Sequence, residues 1–255
     1  MQLTVNQTLQ RSLKKKYWEK GITTLTVIQA PILDRVMDID PRDLKLRVAG
    51  LINKKPMIDY LQGLWTRIGT IFAVQTERKL RGKSSGIQME IKQDPRVDYW
   101  EDYFRHYINE RSQKITGQIM DTQTQIVNNL IDGILEDATT EGASIYEIQK
   151  TMRDELSKNL TMINKYQAER IARTEVIGAS NKGSFDSASQ SGLCRTKSWR
   201  TSGLPGIRQS HLDFEAMGEV EMDYEYDSGL QYPGDPEGSP EEIVNCRCSQ
   251  IFNVD

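Results

Sequence analysis

Thiol and imidazole side chains, the donors that favour zinc, are few in this sequence: two histidines and three cysteines among 255 residues. Cys246 and Cys248 form a Cys-x-Cys pair. Residues i and i+2 of a strand point to the same side, so both thiolates could reach one ion. His211 would supply a third ligand for Zn, and Asp213 or Glu242 could complete a tetrahedron. The spacing is tighter than the knuckle of a structural zinc site. The plainer reading packs both cysteines inward as small apolar residues, with His211 bonded to a backbone carbonyl or a carboxylate. A disulfide between neighbours this close would be strained, and an odd number of cysteines cannot pair fully, so the thiols are expected to stay reduced.

Charged residues offer two further sites. Arg173 and Glu175 lie on a helix rich in small residues, where buried ions need partners, and Arg173 could bridge bidentately to Glu242 or Asp235. That is a structural lock. A hydrolase would instead use His211 with Glu175 or Asp213 as acid and base, but no activated nucleophile accompanies them. There is also no Gly-rich phosphate loop, Gly-x-Ser-x-Gly elbow or His-Glu-x-x-His helix. Near the start, "RSLKKKYWEK" places Lys14, Lys15, Lys16 and Lys20 where they could neutralise phosphates of double-stranded DNA, with Tyr17 or Trp18 stacking on exposed bases. The same stretch also suits a solvated helix face.

The elements that must position these residues read as mainly α: a long-helical N-terminal body over 1–160, with the basic segment, and a small α+β C-terminal domain over 161–255. The first 50 or so residues fit no clean period, carry Pro31, Pro41 and Pro56 as breakers, and suit short helices or an extended arm. Helical periodicity follows over 58–80, and 81–86 reads as a loop. From Asp98 an apolar stripe runs to Leu135 as one long helix or two collinear ones. Ser144 and Glu147 form a capping box, a further helix start is read at Thr161, and Gly192 is placed to end that helix in a left-handed turn. The small residues Ala172, Gly178, Ala179 and Gly183 would let another backbone approach. Strands are expected over 194–201, with Arg195, Lys197 and Trp199 on one face, over 218–227, and in "IVNCRCSQIF" at the end. Charge is segregated: residues 1–55 hold eleven Lys/Arg against five Asp/Glu, and residues 203–255 hold two against twelve, which suggests that the two ends face different partners. No apolar run is long enough to cross a bilayer, and the start lacks the pattern of a secretory signal.

Four stretches in order carry a family likeness: Ala172-Arg173-Thr174-Glu175 with Asn181, then Trp199, then Arg208-x-x-His211, then the Pro233–Pro236 loop followed by Glu242-x-x-Asn245-Cys246-Arg247-Cys248. Over roughly 165–250 this set resembles the Mu F-like head morphogenesis family of phage minor head proteins. The family often has an Asp shortly before the Arg-x-x-His element, where this chain has "GLPGIRQSH". The resemblance implies a non-enzymatic minor capsid protein of the virion, near the portal. It implies roles in head assembly and in genome packaging or ejection, with the portal, the major capsid or scaffold proteins and DNA as partners. The competing class is a metal-dependent nuclease housed in the C-terminal module.

Overall fold

The structure is a computed structural model and describes residues 2–82, 94, 96–227 and 229–254; most of the expected loop at 81–86 lies outside them. It is mainly α, with a small antiparallel sheet. In chain order the elements are β1 (Gln2–Thr4), α1 (Gln7–Arg35), α2 (Pro41–Leu51), α3 (Lys55–Leu80), α4 (Arg96–Glu141), α5 (Ile145–Ser191), β2 (Cys194–Arg200), α6 (Gln209–Ala216), β3 (Glu219–Glu221), α7 (Pro240–Ile243) and β4 (Ser249–Val254). Two compact units arise from segments that alternate along the chain. One holds Met1–Trp18, Leu61–Asn109 and Glu169–Asp255; the other holds Glu19–Tyr60 and Glu110–Ala168.

The second unit is a helical core. Ile28 and Ile32 of α1, Leu44 and Val48 of α2, Val127 and Ile131 of α4, and Met152 and Leu156 of α5 are all fully buried at four-residue spacing. Pro31 was expected to break the first segment, but it lies inside α1. Burial of Ile28 and Ile32 on either side of it outweighs a cost of about 3 kcal/mol for an interior proline. Asp40 caps α2, its carboxylate accepting the Arg42 N–H at 2.9 Å, and Pro41 occupies the first turn, where no N–H is needed. Buried amides link three helices: Gln29 donates to Gln123 at 3.0 Å and accepts from Asn164 at 2.7 Å.

The stripe from Asp98 is one continuous helix, α4. The capping box forms, Ser144 N–H donating to Glu147 Oε2 at 2.8 Å and Ser144 Oγ accepting the Glu147 N–H at 3.4 Å. The start read at Thr161 is not one. Its hydroxyl donates back to Ser157 O at 2.8 Å within α5, which continues until Gly192 turns left-handed at φ 65.

In the first unit the sheet order is β1-β4-β2-β3, every pair antiparallel. β1 pairs with β4 through Leu3 opposite Phe252, so the two ends of the chain share one sheet. A register shift between Cys194 and Thr196 turns Arg195 outward, leaving Cys194, Lys197 and Trp199 as the buried set. The expected strand over 218–227 shortens to β3. Its inward alternation persists through Tyr226, but Tyr226 pairs with Leu230 and the Tyr224 carbonyl is taken by Lys197. The small residues of α5 do admit backbone: a Cβ on Gly178 would stand 2.7 Å from Gly234 O, and one on Gly183 would strike Gly69 O.

Candidate thiol–imidazole site and the lock around it

α6 carries His211, α7 carries Glu242, and the turn between α7 and β4 carries both cysteines. Cys246 and Cys248 were expected inside a strand, yet they precede β4. Asn245 adopts φ 64, and this left-handed residue turns the chain as it leaves α7. The sulfurs converge through that turn: Cys248 N–H donates to Cys246 Sγ at 3.4 Å. His211 Nδ1 faces both, 3.4 Å from Cys248 Sγ and 3.8 Å from Cys246 Sγ. His211, Cys246 and Cys248 are exposed by only 1%, 2% and 3%. Trp199 packs on the imidazole with ring centres 4.9 Å apart, and Phe214, Tyr226 and Leu230 complete the apolar wall.

On the far side of the ring, Nε2 stands 3.0 Å from Glu242 Oε2, an ion-pair contact rather than an aligned hydrogen bond. Ser210 Oγ holds the same carboxylate at 2.9 Å. A carboxylate at Nε2 favours the tautomer with its proton there, which leaves Nδ1 as an acceptor toward the sulfurs. The two thiols are unequal. The neighbouring Cys246 sulfur holds the Cys248 thiol below the usual range, and Cys248 together with burial pushes Cys246 up. The fourth ligand expected from Asp213 or Glu242 does not join them. Asp213 accepts from Gln209 at 2.8 Å, and Glu242 lies behind the ring.

The partners expected for Arg173 are not the ones it meets. Arg173 goes to neither Glu242 nor Asp235. Its guanidinium donates to Asn245 Oδ1 and to Glu169 Oε1, each at 2.6 Å. Thr174 Oγ1 accepts the Asn245 N–H at 3.0 Å, so two successive α5 residues grip the left-handed turn that presents the cysteines. Asn181 Nδ2 donates to Pro233 O at 2.9 Å and to Cys248 O at 3.1 Å. Asp235 accepts the N–H groups of Gln231 and Glu237, at 3.1 and 3.2 Å, which pins its loop. Arg208 donates to Glu241 O and, at 2.6 Å, to Val244 O, tying α6 to α7. Sequence reading missed Lys197, whose buried ammonium donates to Tyr224 O at 2.7 Å and Gln231 O at 2.8 Å. Burial lowers it to about 8, opposed by Asp223 and Asp235. A lysine in an alternating strand normally reads as solvated, although its place on the Trp199 face was a local sign of burial.

Glu175 stands apart from Arg173 and accepts the Trp65 indole N–H at 2.8 Å. Burial pushes its carboxyl up to about 7 from an ordinary 4.5, only partly opposed by that hydrogen bond. The unfolded chain gives up the proton near 4.5 and the folded chain near 7, so this group's contribution to stability falls across that window and is level above it. Glu175→Gln has no proton to lose and still offers an oxygen to Trp65. Relative to the native chain it should gain about 2–3 kcal/mol between pH 4.5 and pH 8. Urea unfolding of both proteins at the two pH values measures this, and a difference independent of pH refutes the assignment.

The basic stretch lies on α1. Tyr17 is 3% exposed, so it cannot stack on a base as expected. Lys14 is taken by Glu169 at 3.0 Å, while Lys15, Lys16 and Lys20 reach the surface. Within the first unit, α1 borders a groove of about 500 Å³ with Arg11, Lys15 and Arg247 beside Val176, Ile177 and Leu204.

The sequence profile described as Phage Mu protein F like protein matches residues 129–251. The uncharacterized protein YqbB of Bacillus subtilis (strain 168) is 29% identical over 150 residues, which cover 56% of this chain and 46% of that protein. The chain thus spans less than half the length of this relative. No solved structure matches. The profile runs from within α4 to β4 and takes in α5, Trp199, His211 and the Cys-x-Cys turn, so by both its ordered residues and its profile match the chain resembles the Phage Mu protein F like family.

Proposed function

We propose that this chain is a head morphogenesis protein of a tailed phage, an assembly component of the virion that docks at the portal. The observation that carries this is the use of the family-pattern residues. Arg173, Asn181, Arg208 and Asp235 all bond backbone or turn atoms that hold the module closed, and His211 is buried against two sulfurs. Groups committed in this way build a rigid docking body. They are not laid out as an acid, a base and an open reaction centre. The groove on α1 supplies the docking face, since cationic side chains beside an apolar floor suit an acidic, apolar-studded segment of the portal.

The test is co-expression with the portal protein of the same phage. The two should co-purify, and tagged chain should be present in purified heads. Arg11→Glu with Lys15→Glu, both at exposed positions, should reduce co-purification by about tenfold or more without loss of fold. A chain absent from heads and indifferent to portal overturns the reading. Duplex DNA binding that falls steeply with salt and is lost in the same double variant, without portal binding, would assign the basic face to the genome instead.

A further inference from the structure

Two thiols and one imidazole nitrogen converge with all three ligand atoms within 4.8 Å of one another. A tetrahedral ion with bonds of about 2.3 Å to sulfur and about 2.0 Å to nitrogen would hold each sulfur about 3.5 Å from the nitrogen. The observed separations, 3.4 and 3.8 Å, bracket that edge, so the side chains need little movement to coordinate. His211 is also oriented as a ligand would be: Nδ1 faces the sulfurs, Glu242 supports Nε2 from behind, and Ser210 steadies Glu242. A thiol pair packed only as apolar filling has no use for a carboxylate behind the imidazole it faces. The turn itself is gripped by Arg173 and Thr174.

We propose that Cys246 Sγ, Cys248 Sγ and His211 Nδ1 form a site for one Zn²⁺, with Glu242 as the positioning carboxylate and a water in the fourth position. Binding releases the two thiol protons to solvent and leaves two thiolates and a neutral imidazole on the ion. Thiolate and imidazole donors select Zn²⁺ over hard ions such as Mg²⁺. The ion would staple α6 to the turn before β4, a structural role in a module whose apolar cluster is small. The site does not depend on portal docking, and each claim can fail without the other.

The probe is the purified full chain loaded with Zn²⁺ and, separately, with Co²⁺. One Zn²⁺ per chain is expected by metal analysis, together with thiolate charge-transfer absorption and the strong visible bands of four-coordinate cobalt. Cys248→Ser and His211→Gln should abolish the cobalt spectrum, and Cys194→Ser should leave it unchanged. Glu242→Gln should weaken Zn²⁺ affinity by about 10–100-fold while keeping the spectrum. A folded native chain that takes up neither ion in excess overturns the proposal, as does a spectrum lost equally in Cys194→Ser. Because the native chain's own spectrum reports thiolate coordination, the test stands even where a variant fails to fold.

Discussion

Trp199→Ala is expected to destabilise the protein by about 3–5 kcal/mol, the range for truncating a large buried aromatic. A typical domain is stable by only about 5–15 kcal/mol, so the first unit should lose much of its margin. Trp199 is 2% exposed and lies at the centre of an aromatic group. Its ring meets Phe214 and Tyr226 edge-on, at 5.2 and 5.1 Å between centres, and lies tilted on His211. The rigid flanking elements, β2 and α6, cannot close over the vacated volume. Trp199→Phe keeps the apolar contact and should cost markedly less. Urea unfolding followed by far-ultraviolet circular dichroism measures both, and a loss under about 1 kcal/mol for the alanine variant would show that the cluster can collapse.

The same substitution reaches the thiol–imidazole site. His211 sits between Trp199 and Phe214, with ring centres 4.9 and 5.9 Å away. Its aim at the two sulfurs therefore depends on the aromatic wall as well as on Glu242. Packing and polar contact fix one ring jointly, which is how a side chain comes to hold one direction in a core.

The long helix α4 was legible because its signal is local. Trp100, Phe104 and Ile108 recur at helical spacing, and the Ser144–Glu147 box likewise involves neighbours only. Features that failed to show were made by distant partners. β1 is three residues whose ladder lies some 250 positions away, and no short window contains that information. Thr161 carries a capping side chain, but capping is only one use of its hydroxyl, and here it bonds back into α5. Val220, Met222, Tyr224 and Tyr226 do alternate inward, yet Lys197 and the Tyr226–Leu230 pair claim the backbone groups that a longer β3 would have used. His211 and the two cysteines do lie together, but the sulfurs do not meet because i and i+2 of a strand share a side. A left-handed Asn245, held by Arg173 and Thr174 from α5, does what a strand was expected to do. Arg173 itself was recognised as a lock, but its partner depended on which loop atom came within reach.

Asn181→Asp should be the most damaging single-atom change in the module. Asn181 is fully buried, and its Nδ2 donates to two carbonyls from separate segments, Pro233 of the loop and Cys248 before β4. Two acceptors facing one terminal atom fix the amide orientation without ambiguity. Its own backbone carbonyl takes Gln250 Nε2 at 2.6 Å, so α5, the loop and β4 meet at this residue. An ionised carboxylate there would face two carbonyl oxygens with no counter-charge, and an uncompensated buried charge costs about 3–5 kcal/mol. A protonated carboxyl could donate to one of the two carbonyls, so the folded variant should hold its proton well above the ordinary carboxylate range. Its penalty should thus shrink as pH falls, because folding would then retain a proton that the unfolded chain releases more easily. Asn181→Ala loses both hydrogen bonds and strands two buried carbonyls, at about 1–3 kcal/mol each, with no such pH dependence. Urea unfolding at pH 8 and pH 5 separates the two variants. If Asn181→Asp unfolds with the native protein at pH 8, the residue does not join these segments.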